Sequence, residues 1–243
     1  MPTPTHRVGA AGWSLPRQHA HHFGEGESML ARYATRFSAV EINSSFYRPH
    51  QRKTYERWAA SVPADFRFAV KLPQAISHEH ALQRAGPLLD AFLEQADGLG
   101  KKLGALLLQL PPSLAFEGRP ASTFFGLLRR RTQVPVACEP RHASWFSERA
   151  EALLRQHAIA RVAADPARLP EAALPGGDTR WQYWRWHGSP RMYYSEYSAQ
   201  ALAGLAAQVR ELAGRRAPWV ILDNTALGFA VPDALEVQRL VGK

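Results

Sequence analysis

"FSAVEINSSFYRP", residues 37–49, begins as a buried strand and ends against the pattern of one. Ala39, Val40 and Ile42 suit a core, yet Glu41 and Asn43 alternate with them. Successive side chains of a strand point to opposite faces, so Glu41 and Asn43 share a face. A polar pair at the end of an apolar strand belongs where that strand opens onto solvent or a ligand. Seven further apolar runs have the length of strands: "HRVGAAG" (6–12), "FRFAVK" (66–71), "LGALLLQL" (103–110), "VPVACE" (134–139), "IARVAAD" (159–165), "QYWRWH" (182–187) and "WVILDN" (219–224).

Helical spacing fills most of the intervals. Leu30, Tyr33 and Phe37 form one stripe, and Tyr55, Trp58 and Val62 the next. Leu88, Leu89, Phe92, Leu93 and Ala96 make a third, with Pro87 suited to its first turn and Gly100 to its exit. Phe124, Leu127 and Leu128 follow, then Ala150, Leu153 and Leu154, then Leu202, Leu205, Val209 and Leu212, and finally Leu235 to Val241. Alternating strand and helix implies an α/β fold with parallel strands covered by helices. Eight such units predict a single TIM-type (β/α)8 barrel over residues 1–243, since about 250 residues is the usual size of that fold. One helix is expected to be irregular or missing: "PARLPEAALPGGDTR", 166–180, between the sixth and seventh strands, carries three prolines and a Gly-Gly pair. An open doubly wound sheet is the rival, but neither a G-x-G-x-x-G nor a G-x-x-x-x-G-K-[ST] motif is present. No nucleotide cofactor motif follows from the sequence.

Composition narrows the function classes. The 243 residues are 46% hydrophobic and contain a single cysteine, Cys138, which excludes an internal disulfide and a cysteine-based zinc cluster. No apolar run reaches the ~18 residues of a membrane span. The N-terminal "MPTPTHRVGAAGWS" lacks the charged and apolar regions of a secretory signal, so a cytoplasmic location is expected. The net charge of +9 raises nucleic acid as a partner. Arg129, Arg130 and Arg131, however, follow an apolar helical stretch, where cations suit a helix C-terminus.

Polar residues recur where the predicted strands end. Lys71, Gln109, Glu139 and Asp165 close four of them; Arg185 with His187 and Asp223 with Asn224 close two more. In (β/α)8 barrels those ends carry the catalytic groups. Burial of so many unpaired polar groups is costly, so the ring forms either a ligand site or a satisfied ion-pair network plugging the barrel. Eight of the ten histidines also fall at or after the ends of predicted strands, among them His78, His142 and His187. In "RWQYWRWHG", Trp184 and Trp186 are expected to pack outward, with Arg185 and His187 facing in. Tyr194, in the loop beyond, could stack on a sugar or base.

The segments "AGWS", "VEINSSFY", "FRFAVKLP", "ISHEHAL", "LGALLLQLPP", "EPRHASWF", "WHG" and "LDNT" occur in the order of the YecE-like family, domain of unknown function 72, which the chain resembles from about Val8 to beyond Leu240. The resemblance implies a TIM-type barrel and no particular activity. Its motif positions include Trp13, Glu41, Asn43, Tyr47, Lys71, His78, Gln109, Glu139, Arg141, His142, His187, Asp223 and Asn224. The chain departs from it at "RWHG", where the family often has Arg-Leu-His-Gly, and at "LDN", where it often has Phe-Asn-Asn.

These residues suggest an enzyme, a hydrolase or isomerase, acting on a small polar or anionic substrate such as a sugar or phosphate ester. Glu41 and Glu139 would split into acid and base, Lys71 would stabilise negative charge or attack a carbonyl, and His187 would carry a proton. Asn43, Tyr47, His78, Gln109, Arg141, His142, Arg185, Tyr194 and Asn224 would bind the substrate. A divalent-metal version would use Glu41, Glu139, His187 and Asp223 as ligands. The alternative is a non-enzymatic protein binding nucleic acid or a phosphorylated metabolite.

Overall fold

Strands and helices alternate along the computed structural model, which describes residues 6–212 and 216–242. Their order is β1 (Arg7–Ala10), α1 (Met29–Tyr33), β2 (Ala39–Ile42), α2 (Arg52–Ala60), β3 (Arg67–Lys71), α3 (Gly86–Ala96), β4 (Leu103–Gln109), α4 (Gly118–Arg131) and β5 (Val136–Glu139). Then come α5 (Glu148–Gln156), β6 (Ile159–Arg161), β7 (Ala163–Asp165), β8 (Gly176–Gly177), β9 (Tyr183–Trp186), α6 (Ala199–Glu211), β10 (Trp219–Leu222) and α7 (Ala230–Val241). The strands form two sheets, ordered β1-β10-β9-β7 and β2-β3-β4-β5-β6-β8. Every pairing is parallel except that of β8 with β6. The fold is therefore mixed α/β with parallel sheets.

The expected sixth strand is split. β6 pairs with β5 and β7 with β9, and the change of partner falls at Val162, whose N–H bonds to the Cys138 carbonyl at 2.9 Å. The proline-rich segment after it contains no α-helix. It forms one 3-10 turn, Pro170–Ala173, and then returns as β8 against β6. Gly177 makes that return possible: its φ is +61°, and a Cβ there would meet the Ile159 carbonyl oxygen at 2.4 Å.

Alternation along the strands sorts two apolar clusters. Val40, Phe68, Val70, Leu106, Leu108, Trp184 and Val220 face the helices in the larger one. Ala39, Ala69, Ala105, Leu107, Ala137, Tyr183, Trp219 and Ile221, drawn from both sheets, pack in the smaller. Alanines on four neighbouring strands leave room for two large rings; Tyr183 and Trp219 stack there with centroids 6.0 Å apart. Two residues further along, on the same faces, come Glu41, Lys71, Glu139, Arg185 and Asp223. The small cluster is thus the floor beneath a layer of charge.

Candidate functional site

Arg185 lies at the centre of that layer, 1% exposed. Its guanidinium donates to Glu41 through Nε (3.1 Å) and Nη2 (2.8 Å), and to Glu139 Oε2 through Nη1 (3.1 Å). Nη2 also stands 3.0 Å from Asp223 Oδ2. Tyr183, at the preceding position on the same face of β9, donates to Glu41 Oε2 at 2.7 Å. Asp223, Glu41 and Glu139 more than compensate the burial that opposes the arginine's charge, and hold its pKa well above the usual value. Fully enclosed, Glu41 has both oxygens engaged by Arg185 and Tyr183. Such a completely paired arrangement is what a charge needs to persist in a core.

Nearer the ends of the strands, the remaining groups are less fully engaged. Glu139 Oε1 accepts from Gln109 at 3.0 Å and from Arg141 Nε at 3.1 Å, with His187 Nε2 3.2 Å away. Burial alone would raise the Glu139 pKa, but His187, Arg185 and Arg141 outweigh it and hold the carboxyl well below its usual range. His187 Nδ1 bonds Asp223 Oδ2 at 2.9 Å, whereas Nε2 has no contact with hydrogen-bond geometry. Burial favours the neutral imidazole; Glu139, with Asp223, overcomes both burial and Arg185 and raises the pKa above 6.5.

A raised histidine pKa has a definite linkage sign. The stabilisation it brings is complete below pH 6.5 and disappears as pH climbs through the higher folded value. The difference in unfolding free energy between wild type and His187→Gln should therefore shrink as pH rises from 6.5. Urea titrations across that range test it, and a difference independent of pH would show that His187 does not titrate in this way.

Lys71 differs from its neighbours. It is 4% exposed, yet its Nζ makes no ion pair within 4.0 Å among the described residues; it lies 4.0 Å above the centre of the Phe46 ring. Burial, then repulsion from Arg185, lower its pKa from 10.5 to about 8, against the attraction of Glu41, Glu139 and Asp223. Its backbone carbonyl accepts from Ser45 Oγ at 2.6 Å, which ties the 43–46 turn to β3. A buried cation with no counter-ion is expensive to keep and is a frequent mark of a functional site.

Of the other predicted residues, Gln109, Arg141 and Arg185 join the cluster directly. His78 approaches it, its ring edge-on to Phe46 at 5.0 Å and its pKa lowered by burial and then by the charge of Lys71. Asn43, in the turn after β2, has a buried Oδ1 with no hydrogen-bond partner. Asn224 is turned to structure, donating to Ser195 O at 2.9 Å and Asp233 Oδ2 at 2.7 Å. His142 caps the 3-10 turn Ala143–Phe146 through the Ser144 N–H. Tyr47 is exposed at the edge of Phe46, and Tyr194 is partly exposed beneath Arg191.

One tyrosine, Tyr183, escaped the sequence reading; it could have been found by carrying the inward alternation one step back from Arg185. Tyr193, beside Tyr194 in the loop after β9, has a place that depends on that loop. Its hydroxyl accepts from Arg141 Nη2 at 3.4 Å and its ring stands edge-on to His187 at 5.7 Å. The backbone there has φ +69°, a left-handed conformation that costs a tyrosine about 1–3 kcal/mol and persists only where its surroundings impose it. The Tyr193 N–H to the His187 carbonyl, and the Ala226 N–H to the Tyr193 carbonyl, impose it.

A cavity of about 20 Å³ opens against Glu139, Arg141, His187, Phe146, Arg168 and Met192. That is room for about one water.

Glu41, Glu139, His187 and Asp223 do not fit a divalent metal. They are gathered around a guanidinium that already supplies the cation, and among the described residues no three His, Cys, Asp or Glu side chains are arranged to hold an ion. The arginines behind the nucleic-acid alternative are partly committed as well. Arg129 donates to three backbone carbonyls, and Arg131 pairs with Asp90. No helix among the described residues is long and apolar enough to cross a membrane.

Comparison with known proteins shows the family over nearly the whole chain. Residues 7–243 match the family described as "Protein of unknown function DUF72". The chain is 31% identical over 173 residues to UPF0759 protein YecE of Escherichia coli (strain K12), covering 69% of this chain and 61% of that protein. It is 23% identical over 181 residues to UPF0759 protein YunF of Bacillus subtilis (strain 168), covering 69% and 63%. The match thus spans less than two thirds of the length of either curated relative. Among solved structures, a DUF72 family protein from Thermotoga maritima is similar with a TM-score of 0.80 and 26% identity, covering 98% of this chain and 99% of that one. A DUF72 family protein from Enterococcus faecalis shares the fold, with a TM-score of 0.81 at 23% identity over 98% and 95% of the two chains.

Proposed function

The chain belongs to the DUF72 family, and we propose that it is an enzyme acting on a small polar or anionic substrate by acid/base chemistry at the strand C-termini. The observation that carries this is Lys71, a buried ammonium without a counter-ion beside a carboxylate and an imidazole with opposed pKa shifts. Groups driven apart in this way are how one site holds both an acid and a base near neutrality. His187, raised, is the acid; Glu139, lowered, holds it; Lys71 faces the negative charge of a substrate or of its transition state. Arg141, on the rim, holds an anionic group with its remaining donors.

Glu41 takes a different role from the one its sequence position suggested. With both oxygens bonded, it positions Arg185, which in turn aligns Glu139 and Asp223. Residues 1–243 are read as one domain in which the two sheets form a single closed (β/α)8 barrel. The bridge between Ala11 and Glu41 supports closure on one side, and the continuity of β6 with β7 across Val162 supports it on the other.

Thermal-shift screening of small carboxylates, phosphate esters and sugars tests the proposal. A compound held at a hundredfold its Kd stabilises the folded state by about 2.7 kcal/mol. That corresponds to a Tm rise on the order of 5–10 °C at this size. Arg141→Gln should abolish the shift for the anionic compounds, and Glu139→Gln should abolish turnover of whichever compound proves to be the substrate. Shifts that survive Arg141→Gln unchanged would place binding elsewhere.

A further inference from the structure

We propose that Lys71 forms an imine with the carbonyl carbon of a small keto acid or acidic aldehyde. This rests on the enzymatic proposal above and names its substrate class. Three features of the geometry favour it. The Lys71 amine is buried at the end of β3, bound to no carboxylate, with an aromatic face 4.0 Å away on one side. A proton carrier stands in the same cluster: His187, with Nδ1 fixed by Asp223 and Nε2 3.2 Å from Glu139 Oε1. An anion anchor sits on the rim at Arg141, two residues beyond β5 and fixed through Nε to Glu139. Opposite to a simple electrostatic lysine, this one is not neutralised by the carboxylates that surround it; Arg185 takes them instead.

The step balances without any co-reactant. The neutral amine lone pair forms the C–N bond while the carbonyl π pair moves to oxygen, which accepts a proton from His187 and gives a carbinolamine. The imidazole, now neutral, takes one of the two protons on the new C–N nitrogen and returns it to the hydroxyl, so that the freed nitrogen pair expels water and leaves a protonated imine. The lowered amine pKa increases the neutral fraction available for the first step near pH 7.5.

The test uses the intact protein with pyruvate, glyoxylate or 2-oxoglutarate and cyanoborohydride at pH 7.5, read by peptide mass spectrometry. Reduction traps the imine as a secondary amine, adding the mass of the keto acid less one oxygen atom. Exposed Lys53 and Lys101 serve as internal references. The expected result is labelling of Lys71 at least about tenfold faster than either reference with one of the three acids, slowed in Arg141→Gln. Acetone, which has no acid group, should lose less of its Lys71 labelling in Arg141→Gln than the acids do. Labelling that follows exposure alone, with Lys71 slowest, overturns the imine. If an acid raises Tm in wild type but not in Arg141→Gln and leaves no adduct on Lys71, the imine falls while the acid/base site stands. If none of the acids binds or labels, and the wider screen of carboxylates, phosphate esters and sugars is silent, both fall.

Discussion

Arg185→Met is expected to destabilise the protein by at least about 3–5 kcal/mol, the usual cost of removing one member of a buried ion pair. Three carboxylates, Glu41, Glu139 and Asp223, meet this one guanidinium, and all three are buried. Without it each must be protonated or remain charged in a low-dielectric setting, and the Tyr183 bond to Glu41 cannot compensate for the loss. At 243 residues the loss corresponds to a fall in Tm on the order of 10 °C. Adding Glu41→Gln should recover part of it, because one uncompensated charge is then gone; contacting residues commonly show coupling of about 0.5–3 kcal/mol. Urea denaturation of wild type, both single variants and the double variant measures this. A single Arg185→Met variant within about 1 kcal/mol of wild type would mean that the carboxylates do not depend on the guanidinium.

Lys71→Met should change stability in the opposite direction, by up to about 3 kcal/mol at pH 7. The pKa falls from 10.5 to about 8, and each unit corresponds to about 1.36 kcal/mol of preference against the charged form. Methionine keeps the length of the side chain and the contact with Phe46, and removes the uncompensated charge. The sign of the pH dependence follows from linkage. Between about 8 and 10.5 the folded lysine has lost its proton while the unfolded one still holds it, so wild-type stability rises with pH across that window. The gap between variant and wild type should therefore be widest at pH 7 and close towards pH 10.5. A variant that gains stability when a charged residue is deleted is the usual signature of a residue kept for activity rather than for folding. Chemical denaturation at pH 7, 8.5 and 10 resolves the effect; destabilisation by Lys71→Met at pH 7 would contradict it.

Much of this arrangement was legible in the chain, for reasons that are local. Period-two alternation in "AVEIN" and "QYWRWH" places Glu41 and Arg185 on inward faces and Trp184 against the helices, and the structure agrees on each. Strand-end position brought Lys71, Gln109, Glu139, His187 and Asp223 into one list, because parallel strands align their C-termini. Pairing within that list was beyond local pattern. Nothing in the sequence says that Arg185 rather than Lys71 takes the carboxylates, since that depends on side-chain reach across both sheets. Loop residues were the least legible. His142 and Asn224 have the chemistry of ligands but are used as a cap and a tether. Tyr193 reaches His187 only because a turn holds it in a left-handed conformation.

The most direct measurement is the titration of Lys71 itself, followed by the NMR signal of its ε-carbon or ζ-nitrogen in selectively labelled protein. A buried ammonium without a counter-ion should titrate with a midpoint near 8, well apart from the exposed lysines. A midpoint at the ordinary 10.5 would show that the amine is solvated or paired, and the site would lose the one group that distinguishes it from an inert ionic plug.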